Sequence, residues 1–172
     1  MSKVQSLNDF GLLVTYLIPG ATLLLGLSLY SETLRMWFAT ASDHSPTIGG
    51  FLYLTVAALA AGMTISALRW AIVDTLQGWT GLKAPALDFS KMGKNVDAFG
   101  LLIEIHYRHY LFYANMFVAL AFAYVCYRLH LGIFTSVSWL DLGFVALEVI
   151  FFVTSRDTLR KYYQRGKQLL SS

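Results

Sequence analysis

Apolar residues in this chain gather into long unbroken runs, and the polar residues are collected between them. Four runs stand out, at positions 10–30, 50–72, 109–128 and 139–155. A helix rises 1.5 Å per residue, so about 20 apolar residues cross a ~30 Å hydrocarbon core. The pattern predicts an all-α integral membrane protein, a bundle of four transmembrane helices with a cytoplasmic segment between the second and third. Residues 73–108 make that segment and residues 156–172 a basic cytoplasmic tail. No internal repeat or second domain is visible, so residues 1–172 read as one membrane domain.

Breaks and small residues inside the runs refine this picture. Pro19 cannot donate to the carbonyl of Thr15, which predicts a kink there and a freed carbonyl. Either the Thr15 hydroxyl or a neighbouring helix should satisfy it. Gly20 and Gly26 follow, allowing close helix contact. In the second run Ala58, Gly62 and Ser66 share one face, the spacing that lets backbones approach in lipid. Contact within the subunit and contact between subunits both remain open for that stripe.

The connections are read from their polar and breaker residues. Glu32, Arg35, Asp43, His44 and Pro46 mark the first, and Trp37 and Phe38 place part of it in the headgroup zone. Trp70 and Trp79 are interface anchors, while Gly78, Gly81, Pro85 and Gly93 break any long helix beyond them. Asn95 is expected to cap a long third helix from Val96 to Arg128, whose first three turns project into water. Ser138-Trp139-Leu140-Asp141 resembles a capping box opening the fourth helix. Lys3 precedes Asn8 and Asp9 with no cleavage site after the first run, so that run reads as a retained helix.

Composition agrees with a membrane class, with 56% hydrophobic and 13% charged residues. A soluble domain would carry about twice that charge. The net charge of +3 gives no reason to expect nucleic-acid binding. One cysteine, Cys126, excludes an internal disulfide, a cysteine metal cluster and a dithiol oxidoreductase; it reads as a packing residue. Eleven of the thirteen Lys and Arg residues lie at the amino terminus, in the stretch from Arg69, at the end of the second run, to Arg108, or in the tail. Only Arg35 and Arg128 lie in the other two connections. This bias places both termini and the middle segment in the cytoplasm of a multi-pass cell-membrane protein, taken as a bacterial inner membrane.

Candidate chemistry is sparse. Glu104, His106, Arg108 and His109 lie on a helix passing from water into lipid, and this is the candidate cytoplasmic coupling helix. At 100° per residue Glu104, Arg108 and Asn115 share one face, while His106, His109 and Tyr113 take the other. Two histidines at that spacing lack further ligands, so no metal and no cofactor is expected. Glu148 sits alone in an apolar helix, where an ionised carboxylate costs at least ~2.5 kcal/mol. It should be protonated, or face protein or water. Glu148, Asn115, Thr15 and Ser66 fall at similar depth and form a candidate intramembrane polar layer, either bonding Glu148 to Asn115 or a hydroxyl or lining a hydrated pocket. The candidate packing positions are Ala58, Gly62, Ser66, Pro19 and Gly20. Small four-helix proton-coupled exporters also use one membrane carboxylate, but they are shorter, and the likeness is one of function alone.

No G-x-S-x-G, paired intramembrane aspartates, H-E-x-x-H or phosphate loop is present, so no enzyme is expected. The expected function is that of a self-associating membrane subunit, an effector that alters permeability when a cytoplasmic protein partner binds. The alternatives are a membrane anchor or scaffold, and a small ion- or proton-coupled transporter using Glu148. Expected partners are the lipid bilayer, further copies of the chain and a cytoplasmic protein.

Overall fold

The computed structural model describes residues 2–39, 48–132 and 134–171. Among these residues the chain is all-helical, with five helices and no strand. They are α1 (Ser2–Leu27), α2 (Glu32–Ala39), α3 (residues 48–79), α4 (Val96–Leu131) and α5 (Trp139–Ser171). Two of them are interrupted by one wide turn. In α3 the α-helix Ile48–Arg69 passes through a π-helical stretch, Trp70–Asp74, into a last turn at Thr75–Trp79. In α4 the π-helical stretch Ile103–Tyr107 joins Val96–Leu102 to Arg108–Leu131.

Residues Gly49–Trp79 of α3 and Val96–Leu131 of α4 are each long and apolar enough to cross a membrane. In α1 the apolar stretch is shorter, Leu13–Leu27. The apolar start of α5 runs without a break into a charged tail. These lengths fit association with a membrane.

α1, α3 and α4 pack on one another, with α1 in the most extensive contact with both, and α5 packs against α4 and meets α3 at Gln77. Missing side chains set the spacing on both flanks of α1. A Cβ on Gly20 would stand 1.7 Å from the Ala58 carbonyl oxygen, and one on Gly62 would stand 2.0 Å from that of Tyr16. On the other flank, a Cβ on Gly26 would meet the Ala123 Cα at 2.8 Å. α1 therefore touches both neighbours backbone to backbone, where many small dispersion contacts add up. Ala58 and Gly62 are covered by α1 within the subunit, and Ser66 is half-buried one turn on. Aromatic pairs join α4 to α5 instead: Phe117 on Phe152 at 5.5 Å and Tyr124 on Phe144 at 5.2 Å between ring centroids. Cys126 is buried, and its carbonyl accepts a hydrogen bond from the Tyr30 hydroxyl at 3.0 Å.

Several expectations about the connections need correction. α3 runs on past residue 72 and ends at Trp79, because Gly78 fits the final turn and Gly81, at φ +89°, reverses the chain. Asn95 does not cap α4 with its side chain; its Nδ2 donates instead to the Leu169 carbonyl of α5 at 3.1 Å. A 3₁₀ turn, Phe89–Lys94, precedes α4 and is capped by Asp88, which accepts from the Ser90 amide. At the start of α5 the Ser138 amide donates to Asp141 at 2.6 Å, one half of the expected box. The Ser138 hydroxyl also donates to that carboxylate, at 2.9 Å, and Arg128 joins it from α4 at 3.3 Å. The connection after α1 holds the short helix α2. Asp43, His44 and Pro46 lie outside the described residues.

Gly20→Leu should therefore separate α1 from α3 and cost about 1–3 kcal/mol or more, as overpacking does. Gly100 has open space where a Cβ would stand, so Gly100→Ala should leave stability equal or slightly higher. Thermal unfolding of both variants in detergent checks the contrast.

Candidate functional site

Proline and asparagine together explain the innermost polar contact. Pro19 leaves the Thr15 carbonyl without its helical donor. Asn115 supplies one from α4, its Nδ2 standing 3.4 Å from that oxygen. Asn115 is fully buried, and its Oδ1 has no hydrogen-bond partner among the described residues. The Thr15 hydroxyl turns back to the Gly11 carbonyl at 2.8 Å. Of the two solutions open for the freed carbonyl, the neighbouring helix supplies the donor.

Glu148 stands apart from this pair. Phe144 and Phe152, one turn to either side of it, pack on Tyr124 and Phe117 of α4. Glu148 thus lies in the seam between α4 and α5, whereas Asn115 faces α1. Both carboxyl oxygens are buried without a hydrogen-bond partner among the described residues. The hydrogen bond expected between Glu148 and Asn115 or a hydroxyl is not formed. The structure brings Thr15 and Asn115 together and leaves Glu148 in a separate seam.

A denser polar cluster lies where α3 and α4 leave the apolar region, at the two π-helical stretches. Arg69 Nη1 donates to Asp74 at 2.8 Å and to the Tyr110 hydroxyl at 3.0 Å. That hydroxyl donates in turn to the Asp74 carboxylate. Residues five apart lie about 140° from each other on an α-helix, but nearly one turn apart where the turn is wide. The π-helical stretch is what lets Arg69 meet Asp74. The Arg69 guanidinium is buried beside the Tyr110 ring, 5.3 Å from its centroid.

α5 closes the same level. Buried Gln77 donates to buried Ser155 at 3.1 Å, and Arg156 Nη2 donates to the Thr80 carbonyl at 2.9 Å. Burial, followed by the Asp74 charge, pushes the Tyr163 hydroxyl above its usual range. Three helices are thereby tied at one height. Reading by composition counted Arg69 as an orienting charge and passed over Asp74, Gln77, Tyr110 and Ser155. The one available signal was an Arg and an Asp bracketing an apolar tetrapeptide.

The second π-helical stretch redistributes the coupling helix. Its extra residue per turn rotates the residues after it relative to an ideal α-helix. His106 is buried against α5, where Arg165 Nη1 donates to its Nε2 at 2.7 Å. His109 is exposed and lines a cleft of about 430 Å³ with Glu104 and Arg108. The expected division, with both histidines opposite Glu104, is corrected: His109 shares a cleft with Glu104, and His106 faces α5. Burial first, then Arg165, Lys161 and His109, hold His106 below its ordinary pKa of 6.5, opposed by Asp157. Asp157 itself is held low by the Lys161 ammonium that it binds. Among the described residues no three His, Cys, Asp or Glu side chains are grouped to hold a metal ion.

Tyr110→Phe removes the hydroxyl that links Arg69 to Asp74 and should cost about 1–2 kcal/mol. Combined with Arg69→Gln it should be clearly non-additive in a double-mutant cycle of unfolding midpoints. His106 gives a pH signature. Its folded pKa lies below the unfolded 6.5, so the unfolded chain binds more protons between those values. Stability should be full above the unfolded pKa and fall as pH drops through the folded one. Midpoints measured from pH about 7.5 to about 5.5 should show the fall, and His106→Gln should flatten it.

No family model, curated protein or solved structure matches the chain.

Proposed function

We propose that this chain is a non-enzymatic, multi-pass membrane subunit that self-associates and changes membrane permeability when a cytoplasmic partner binds. In this reading α1, α3, α4 and the apolar part of α5 each cross the bilayer. Both termini and residues 73–108 face the cytoplasm, on the side favoured by eleven of thirteen basic residues. The exposed Trp70 and Trp79 then sit at the cytoplasmic interface and Trp139 at the opposite one.

The observation that carries the proposal is the separation of the buried polar groups between two seams. α1, α3 and α4 pack on one another, while α5 flanks α4. Asn115 and Glu148 belong to different seams, so one subunit gathers no shared polar path. A permeation route would therefore form between subunits. The Ala58 and Gly62 stripe is used inside the subunit, leaving the outer faces of α3 and α5 for assembly. Phe51, Tyr53 and Val56 stand exposed on the first, and Val145, Val149 and Val153 on the second.

The scaffold reading is favoured by a different observation. The Arg69–Asp74–Tyr110 cluster and the Gln77–Ser155 bond hold three helices at the cytoplasmic level, as a fixed platform would. The transporter reading has weaker support, since Glu148 has no hydrogen-bond partner among the described residues of its subunit.

Purification in mild detergent should yield multimers with a co-purifying cytoplasmic protein. With that protein present, reconstituted vesicles should leak a small dye. Strict monomers, or vesicles that stay tight with the partner bound, would favour the scaffold. Reporter fusions at Ser172 and within Gly81–Lys94 should read as cytoplasmic, and fusions within Ser42–Thr47 as external. Glu148→Gln should keep folding and assembly. Glu148→Leu should fold yet lose leakage if the carboxyl serves the path, and full leakage in both variants would remove it from the mechanism.

A further inference from the structure

The cleft between α1 and α4 has a graded lining. Its polar end carries Glu104, Arg108 and His109, and its apolar end Val14, Phe112 and Tyr113. From residue 104 to residue 113 the helical rise is roughly 13 Å. Over that distance the lining changes from charged to aromatic, the order met between headgroup and acyl chain. The volume, about 430 Å³, falls in the usual size range for a ligand site.

The two charges at the polar end are spaced for an occupant. Arg108 Nη1 stands 3.9 Å from Glu104 Oε1, beyond the ~2.7–2.9 Å of a charge-assisted hydrogen bond. Yet the Arg108 side chain is only 17% exposed, so its guanidinium has largely left water. It lies over Gly11 of α1, where an added Cβ would approach Nη1 to 3.2 Å. A guanidinium held against a helix and loosely met by its carboxylate is matched to a phosphate, which it can bind through two parallel donors. The nearby carboxylate repels a purely anionic head but accepts an ammonium.

We propose that this cleft binds a glycerophospholipid of the cytoplasmic leaflet carrying a primary-ammonium headgroup, with the phosphate on Arg108 and the ammonium on Glu104. The acyl chains begin against Phe112 and Val14. The assignment rests on the membrane placement proposed above, and its test separates the two.

Detergent-purified, delipidated protein is titrated with phosphatidylethanolamine or phosphatidylglycerol in mixed micelles, and bound lipid is counted by native mass spectrometry. Phosphatidylethanolamine should be preferred by about tenfold. Arg108→Gln should weaken its binding by about tenfold or more, with melting unchanged. Glu104→Gln should erase the preference between the two lipids. Val14→Trp, which fills the apolar end, is the second variant should Arg108→Gln not fold, and it should also abolish binding. Unchanged lipid binding in Arg108→Gln or in Val14→Trp would overturn the proposal. So would competition by water-soluble phosphoethanolamine alone, which would mark a site for the free phosphate compound. Release of the chain from membranes by alkaline carbonate would instead overturn the membrane placement itself.

Discussion

Where two helices touch backbone to backbone, neither can turn about its axis without driving a carbonyl into its neighbour. α1 is held in this way on both flanks, by Gly20 and Gly62 against α3 and by Gly26 against Ala123 of α4. The Asn115 bond to the Thr15 carbonyl adds a polar tooth to the second contact. Once α1 is set, the azimuth of α3 and α4 is set with it. The seam between α4 and α5 is of another kind, with rings of varied size stacked at tilted angles. Ring contacts tolerate small sliding better than backbone contacts do. The molecule therefore has one stiff seam on each side of α1 and a more yielding one at α5.

Two wide turns decide how this stiff apolar part is joined to the polar end. Without the π-helical stretch at Trp70–Asp74, Arg69 would sit buried with its nearest carboxylate about 140° away. A buried guanidinium left without a partner is strongly destabilising, so turn and ion pair require each other. The stretch at Ile103–Tyr107 sends His106 to α5 and leaves Arg108 beside α1. One helix thereby serves two neighbours with residues that an ideal α-helix would distribute differently.

How much of this could be read from residues alone follows the same division. The all-helical class was legible because hydrophobic run length and helical rise determine it, and the start of α4 near Val96 because Gly93 and Asn95 break the chain before it. Thr15 could be marked as a freed carbonyl because proline lacks an N–H, but its donor lies 100 residues away, beyond the reach of local periodicity. The meeting of Arg69 with Asp74, and the parting of His106 from His109, were not legible. Both depend on a π-helical turn, and projection at 100° per residue assumes that no such turn exists. Glu148 was visible as a lone carboxylate, yet its separation from Asn115 depends on which face of α4 each neighbour occupies. That is a property of packing order, not of depth.

The order in which the chain is synthesised gives the Asn115 contact a temporal side. A ribosome adding about 5–20 residues per second finishes the α1–α3 pair before any of α4 is made. The Thr15 carbonyl, exposed by Pro19, then has to wait for a donor that is 100 residues downstream, an interval of roughly 5–20 s at that rate. During this time the unfinished hairpin carries an unsatisfied acceptor on the flank that α4 will cover. A nascent chain keeps that acceptor without its partner until α4 arrives, and Asn115 is the residue that ends the wait.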